Sequence, residues 1–196
     1  LFSCGFIVNF VLGGITGVAL AQVPFDVHVH DTYFVVAHFH YIVYGGSVFV
    51  IFSSIYHWYP KVTGKLLNER IGLIHFFLTF IGFNLCFAPQ HWLGLNGMPR
   101  RVAEYDPQFT FVNQLSTAGA LIMALSTIPF LWNIFQSFFN GLEAGDNPWD
   151  ALTPEWLTTS PPPVENWKGE APLVTEPYGY GKLKNEEAIS NITKKS

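Results

Sequence analysis

The chain has 196 residues, of which 49% are hydrophobic, 17% aromatic and only 12% charged, with a formal net charge of −4. Soluble globular domains carry about 25% charged residues, so the composition argues against one, and no nucleic-acid partner is expected. Cys4 and Cys86 stand alone inside apolar runs, which leaves neither a disulfide framework nor a zinc site built on cysteine spacing.

The charges are unevenly spread. No Asp, Glu, Lys or Arg occurs in 1–25, 32–60, 71–99 or 107–142. Crossing a bilayer takes roughly 20 apolar residues, so the pattern predicts four transmembrane helices over about 1–22, 33–59, 71–88 and 108–140. The fold class is all-α integral membrane, with residues 1–140 as the membrane part and 141–196 as an extended tail. The chain opens on Leu1 inside an apolar run, without a signal-peptide pattern. It is read as the C-terminal portion of a longer membrane protein.

The first helix is rich in small residues (Gly5, Gly13, Gly14, Thr16, Gly17). These suit close helix packing, and no chemistry is visible in it. Residues 23–31 follow as a short structured loop in which Asp26, His28, His30 and Asp31 alternate with apolar residues. His30 and Asp31 offer one nitrogen and one oxygen to a divalent ion such as magnesium or manganese. Two ligands do not fill an octahedral shell, so a metal site and a hydrogen-bonded loop both stay open.

The second helix carries His38 and His40 in an uncharged run from Thr32 to Pro60. Helical residues turn by about 100° each, so the two imidazoles point about 200° apart. One ion cannot easily be held by both. Imidazole is costly to bury in lipid without a partner and is a common ligand for iron. Two iron-centred cofactors flanking one helix are therefore expected. Gly45-Gly46 gives this helix a thin waist, and His57-Trp58-Tyr59 before Pro60 reads as an interfacial belt.

Lys61, Lys65 and Arg70 put the 60–70 loop on the cytoplasmic side by the positive-inside tendency. His75, alone among apolar residues of the third helix, is expected to be a satisfied buried polar group without a role; Asn84 lies further along. In the loop 89–106, Arg100 and Arg101 need anionic partners. Glu104, Asp106, lipid phosphate or the carboxylates of a large cofactor would serve. An even number of helices separates this loop from 23–31, so the arginines and the His30-Asp31 pair share a face. Pro129 is expected to kink the fourth helix. The cytoplasmic tail should order only where Trp149, Trp156 and Trp167 dock, and the Asn191 sequon would go unused there.

His30-Asp-Thr-Tyr-Phe-Val-Val-Ala-His-Phe-His40-Tyr, followed by Pro89-Gln-His-Trp-Leu-Gly-Leu-Asn-Gly-Met-Pro-Arg-Arg101, resembles subunit I of the haem-copper respiratory oxidases. The likeness runs on through Asn147-Pro-Trp-Asp, Thr153-Pro-Glu-Trp and Ser160-Pro-Pro-Pro. It implies that the four helices are the last four of twelve. By this resemblance His38 is the axial ligand of the high-spin haem that binds dioxygen, and His40 an axial ligand of the low-spin haem. Phe39 between them lies near the electron path or simply packs. His30 and Asp31 bind a magnesium or manganese ion, with a Glu of subunit II. Arg100, Arg101 and Asp26 belong to the haem-propionate region, with His91 nearby.

The implied cofactors are two haems of the A type, magnesium or manganese, and a copper whose ligands lie upstream of this chain. The implied partners are oxidase subunits II and III, cytochrome c, dioxygen and membrane lipid. The implied place is a respiratory membrane, bacterial or inner mitochondrial. The implied reaction is reduction of dioxygen to water by cytochrome c, coupled to proton translocation. His28 departs from the family pattern, where an aliphatic residue is expected. Asp31 favours the cytochrome c branch, because quinol-oxidising relatives usually carry Asn there. The alternatives are a quinol oxidase and a membrane cytochrome that only transfers electrons. A di-iron enzyme lacks its clustered His boxes, and a transporter leaves Arg100-Arg101 unexplained.

Overall fold

A computed structural model describes residues 1–167 and 169. Among them the chain is helical, with two isolated β-bridges and no strand. In order come α1 (Phe2–Leu20), α2 (Val23–Val29), α3 (Tyr33–Val43), a π-helical turn (Tyr44–Val48) leading into α4 (Phe49–Thr63), and α5 (Glu69–Leu95). A 3-10 turn (Pro107–Phe109) then opens α6 (Thr110–Asn140), and a second 3-10 turn covers Pro154–Trp156. Four stretches are long and apolar enough to cross a membrane: Phe2–Leu20, Tyr33–Thr63, Glu69–Leu95 and Pro107–Asn140. The Asn191 sequon lies outside the described residues.

The structure moves several expected boundaries. The 23–31 connection holds the helix α2, with Pro24 in its first turn, where a missing N–H leaves no intrahelical bond unmade. Pro60 was expected to end the second span, but α4 continues to Thr63 and stops at Gly64, whose φ of +72° suits a helix terminus. Pro89 likewise sits inside α5, which runs seven residues past the expected end at 88 and takes Gln90 and His91 into the helix. A proline is tolerated in a membrane helix when neighbouring groups satisfy the freed backbone.

The chain falls into two compact units. The first comprises Leu1–Tyr56 with Asn68–Gln136. In it α3 packs against both α1 and α5, around an aromatic core of Phe2, Tyr41, Phe49, Phe76, Phe83 and Phe87 with Cys86. Small residues set the helix spacing. A Cβ on Gly94 would collide with the backbone of Phe34, and one on Gly119 with the backbone of Cys86. Buried polar side chains pair across helices, as expected where lipid offers them nothing. Tyr41 Oη donates to Asn84 Oδ1 at 2.7 Å, and Thr79 Oγ1 donates to Ser126 Oγ at 2.9 Å. His75 is fully buried, with Nδ1 3.1 Å from Tyr56 Oη, while its Nε2 is buried with no partner among the described residues. The outward residues of α1 and α6, among them Ile7, Val11, Ile15, Val18, Leu121 and Leu125, are exposed and apolar.

The second unit comprises His57–Leu67 with the chain from Ser137 onward. Its centre is Lys61, only 5% exposed. The ammonium donates to the carbonyls of Asp146 and Thr158, both at 2.8 Å, and of Thr159 at 3.5 Å. It also lies 5.0 Å from the ring centre of the buried Trp156, a cation–π contact. Trp156 stacks on Trp58, and Trp149 Nε1 donates to the His57 carbonyl at 3.0 Å. Two of the three expected tryptophans therefore hold the segment after α6 against residues 57–61. Lys61→Met keeps the aliphatic stem but strips three carbonyls of their donor, at a cost of about 2 kcal/mol. Limited proteolysis of the intact protein should then cut within 141–167 several-fold faster than in the parent.

Candidate functional site

The site grows from α3. Thr32 caps this helix, its Oγ1 accepting from the Phe34 N–H at 3.2 Å. His38 turns its ring toward α1 and His40 lays its ring on α5. His38 Nδ1 lies 3.1 Å from the Gly13 carbonyl and 3.0 Å from Thr16 Oγ1. A Cβ on Gly17 would sit 2.9 Å from His38 Cε1, so the absence of a side chain there makes the room that the imidazole occupies. His40 Nδ1 lies 2.7 Å from the Val36 carbonyl, one turn back on its own helix. The His40 ring stacks on Phe87 with centroids 4.1 Å apart and planes 14° from parallel.

These contacts fix the tautomers. A carbonyl oxygen only accepts, so each Nδ1 carries the proton and each Nε2 keeps a lone pair. Neither Nε2 has a hydrogen-bond partner among the described residues, and both rings are half-buried. A metal-ligating imidazole characteristically donates its other N–H to a carbonyl or carboxylate, which also raises its basicity. The two residues thus fit axial ligation of two separate groups on opposite faces of one helix. Sequence reading of α1 as packing alone missed Gly13, Thr16 and Gly17. The signal was present as small residues four apart with a Thr between, but its meaning depends on a ring 21 or more residues later.

The second cluster lies where α3 begins. Two backbone hydrogen bonds, Tyr33 N–H to Met98 O at 3.1 Å and Arg100 N–H to Asp31 O at 2.9 Å, clip residues 31–33 to 98–100. Asp31 stands at φ +55°, a left-handed position that Asp accepts more readily than most residues. On this clip Arg100 Nε and Nη2 both donate to Asp31 Oδ1, the former at 2.8 Å. His30 Nε2 approaches Asp31 Oδ2 at 3.2 Å, and His30 Nδ1 is 4.0 Å from Asp26 Oδ2. The partner of Arg100 is therefore neither Glu104 nor Asp106; the latter accepts from the Gln108 N–H. Arg101 is exposed, at φ +63°, and makes no ion pair among the described residues. Among the described residues no side-chain hydrogen bond or ion pair joins His28 to this cluster.

His91, expected in the loop, is on α5 with its ring edge-on to Phe34 and near Tyr41. No group of three or more His, Cys, Asp or Glu side chains suited to a metal ion forms among the described residues. His30 and Asp31 can supply two ligands to a divalent ion, and an octahedral shell would need the rest from water or another chain.

Residues 1–122 match the family model described as Cytochrome C and Quinol oxidase polypeptide I. The chain belongs to that family. The polypeptide I relatives it matches include cytochrome c oxidase subunit 1 of Synechocystis sp., 58% identical over 196 residues, and that of Thermostichus vulcanus, 58% identical over 189. These alignments take in 98% and 96% of this chain but 36% and 34% of the relatives, so the chain spans about a third of their length. Among solved structures, a haem-copper terminal oxidase dimer aligns over 97% of this chain and 41% of its own, with a TM-score of 0.63 at 21% identity. That likeness shows the fold. With four apolar helices of spanning length, this polypeptide I segment is an integral membrane protein.

The Arg100 hydrogen bond is the main force holding the Asp31 carboxyl below the ordinary range, helped by the nearby charges of Arg100, His30 and Arg101. Because the folded value is the lower one, the pair's contribution is complete above about pH 4 and drains as pH falls through the depressed value. Asp31→Asn keeps the left-handed backbone and removes only the charge. Its thermal midpoint should lie below the parent's at pH 7, and the gap should narrow toward pH 3.

Proposed function

We propose that this chain is the helix-bundle portion, the last four helices of twelve, of a terminal respiratory oxidase that reduces dioxygen to water with electrons from cytochrome c, coupled to proton translocation. One observation carries the reading: α3 presents two imidazoles on opposite faces, each with Nδ1 committed to a carbonyl and Nε2 free. Haem bound there would supply electron transfer on one face and dioxygen binding on the other, with copper held by residues outside this chain. His38 is assigned to the dioxygen-binding haem and His40 to the electron-delivering one. Holding both nitrogens on one helix fixes their separation and orientation.

Arg100, Arg101 and Asp26 would meet the propionates; Arg101, without an ion pair among the described residues, is the freer of the two cations. His30 and Asp31 would hold magnesium or manganese together with groups from subunit II, while subunit III completes the assembly. Lys61, Lys65 and Arg70 favour a cytoplasmic tail. The family description also admits quinol as donor. Asp31 and the names of the relatives favour cytochrome c.

On the intact purified complex, reduced-minus-oxidised spectra should reveal two haems, only one of which binds carbon monoxide. His38→Ala should abolish the carbon monoxide response, and His40→Ala should remove the low-spin signal while electrons no longer reach the oxygen site. Two haems that both ignore carbon monoxide would make the complex an electron carrier only. Asp31→Asn should reduce bound manganese by tenfold or more in metal analysis; no loss would remove the ion from these residues.

A further inference from the structure

The two candidate ligands are not held alike. His40 donates to a single acceptor, the Val36 carbonyl, at 2.7 Å. His38 shares its proton between two, the Gly13 carbonyl at 3.1 Å and Thr16 Oγ1 at 3.0 Å. Thr16 acts on that carbonyl as well, since its hydroxyl lies 2.9 Å from Gly13 O and only 3.3 Å from Leu12 O. The hydroxyl proton points to a carbonyl, because carbonyls cannot donate, which leaves the Thr16 oxygen free to accept from Nδ1–H. The three groups close a triangle. In it the imidazole has a divided bond, and its carbonyl acceptor also receives the Thr16 hydroxyl.

Both effects act in one direction. Each carbonyl also takes one N–H of its own helix; a short undivided bond draws the proton away and makes Nε2 more basic, whereas a long divided bond to a carbonyl that takes a hydroxyl as well does so less. We infer that Thr16 is a positioning residue that holds the His38 imidazole by two points and keeps its Nε2 less basic than that of His40. The inference deepens the haem-ligand reading and rests on it. A weaker axial donor on the dioxygen side and a stronger one on the electron-delivering side would separate the two haems in potential, with second-shell hydrogen bonding as the lever. Gly17 belongs to the same cradle by leaving the ring its space, but it makes no hydrogen bond to it.

The test uses the intact oxidase, reduced and free of carbon monoxide, with resonance Raman spectroscopy of the iron–histidine stretch. Thr16→Val keeps the volume and removes the hydroxyl. The Gly13 carbonyl, still holding its helical bond from the Gly17 N–H, is then relieved of the hydroxyl and becomes the sole acceptor of Nδ1–H, so the stretch should move to higher frequency and the midpoint potential of the carbon monoxide-binding haem should fall. Thr16→Ser, which keeps the hydroxyl, should behave as the parent. Thr16→Ala removes the hydroxyl without added bulk and should repeat the Val result if Val impairs assembly. An unchanged or lowered frequency in both hydroxyl-free variants overturns the inference. If His38→Ala abolishes carbon monoxide binding in the same preparations, the haem-ligand reading stands while the role of Thr16 falls. If His38→Ala leaves that binding intact, the haem-ligand reading falls and the inference with it.

Discussion

An imidazole inside an apolar helix bundle needs both ring nitrogens accounted for, and a carbonyl can account for only one of them. Everything around α3 follows from that asymmetry. The Gly13 and Val36 carbonyls take the two Nδ1 protons, and the surroundings leave the two Nε2 atoms unclaimed. An open Nε2 is not peculiar to these two residues, since His75 and His91 also bury an unpartnered Nε2 among the described residues; what sets His38 and His40 apart is that their rings leave opposite faces of one helix.

The same logic explains the spacing of the helices. Gly13 and Gly17 bring α1 close enough to cradle His38, and a Cβ at Gly45 would stand 2.9 Å from Cβ of the fully buried Asn9. Gly45 lies in the π-helical turn after Val43. Such single-turn bulges recur at functional sites, and here the turn falls directly after the helix that presents both imidazoles. Small residues in this protein are therefore both packing devices and makers of room for rings.

The Asp31–Arg100 pair illustrates how backbone geometry gives weight to a surface charge. An exposed ion pair alone contributes little, because solvent screens it. This one sits on two main-chain hydrogen bonds that clip the start of α3 to the loop after α5, so its partners are held together whether or not the charges attract. Asp31 presents one oxygen to Arg100 and the other to His30, which places a cation-seeking carboxylate and an imidazole side by side at the membrane boundary. In the other unit Lys61 shows the complementary case: a cation surrounded by carbonyl oxygens rather than carboxylates.

The sequence alone determined the four spans, because gaps between charges follow directly from the cost of burying charge in lipid. It also determined that His38 and His40 face apart, since the helical turn depends on no neighbour, and that Asp31 and Arg100 lie on one side, since that follows from counting helices. Prolines misled it: Pro60 reads as the stop of the second span and Pro89 falls in the expected 89–106 loop, yet both lie inside helices, where surrounding residues decide whether a lost N–H matters. The helical turn at 23–29, the π-helical turn and the placement of His91 on α5 rest on the same kind of context. Which nitrogen of His38 is free was decided only by tertiary structure, whereas His40 is fixed locally by the Val36 carbonyl one turn back. For His38 the answer is set by Gly13 and Thr16, 25 and 22 residues away in sequence, and no local pattern encodes a hydrogen bond between two helices that have yet to meet.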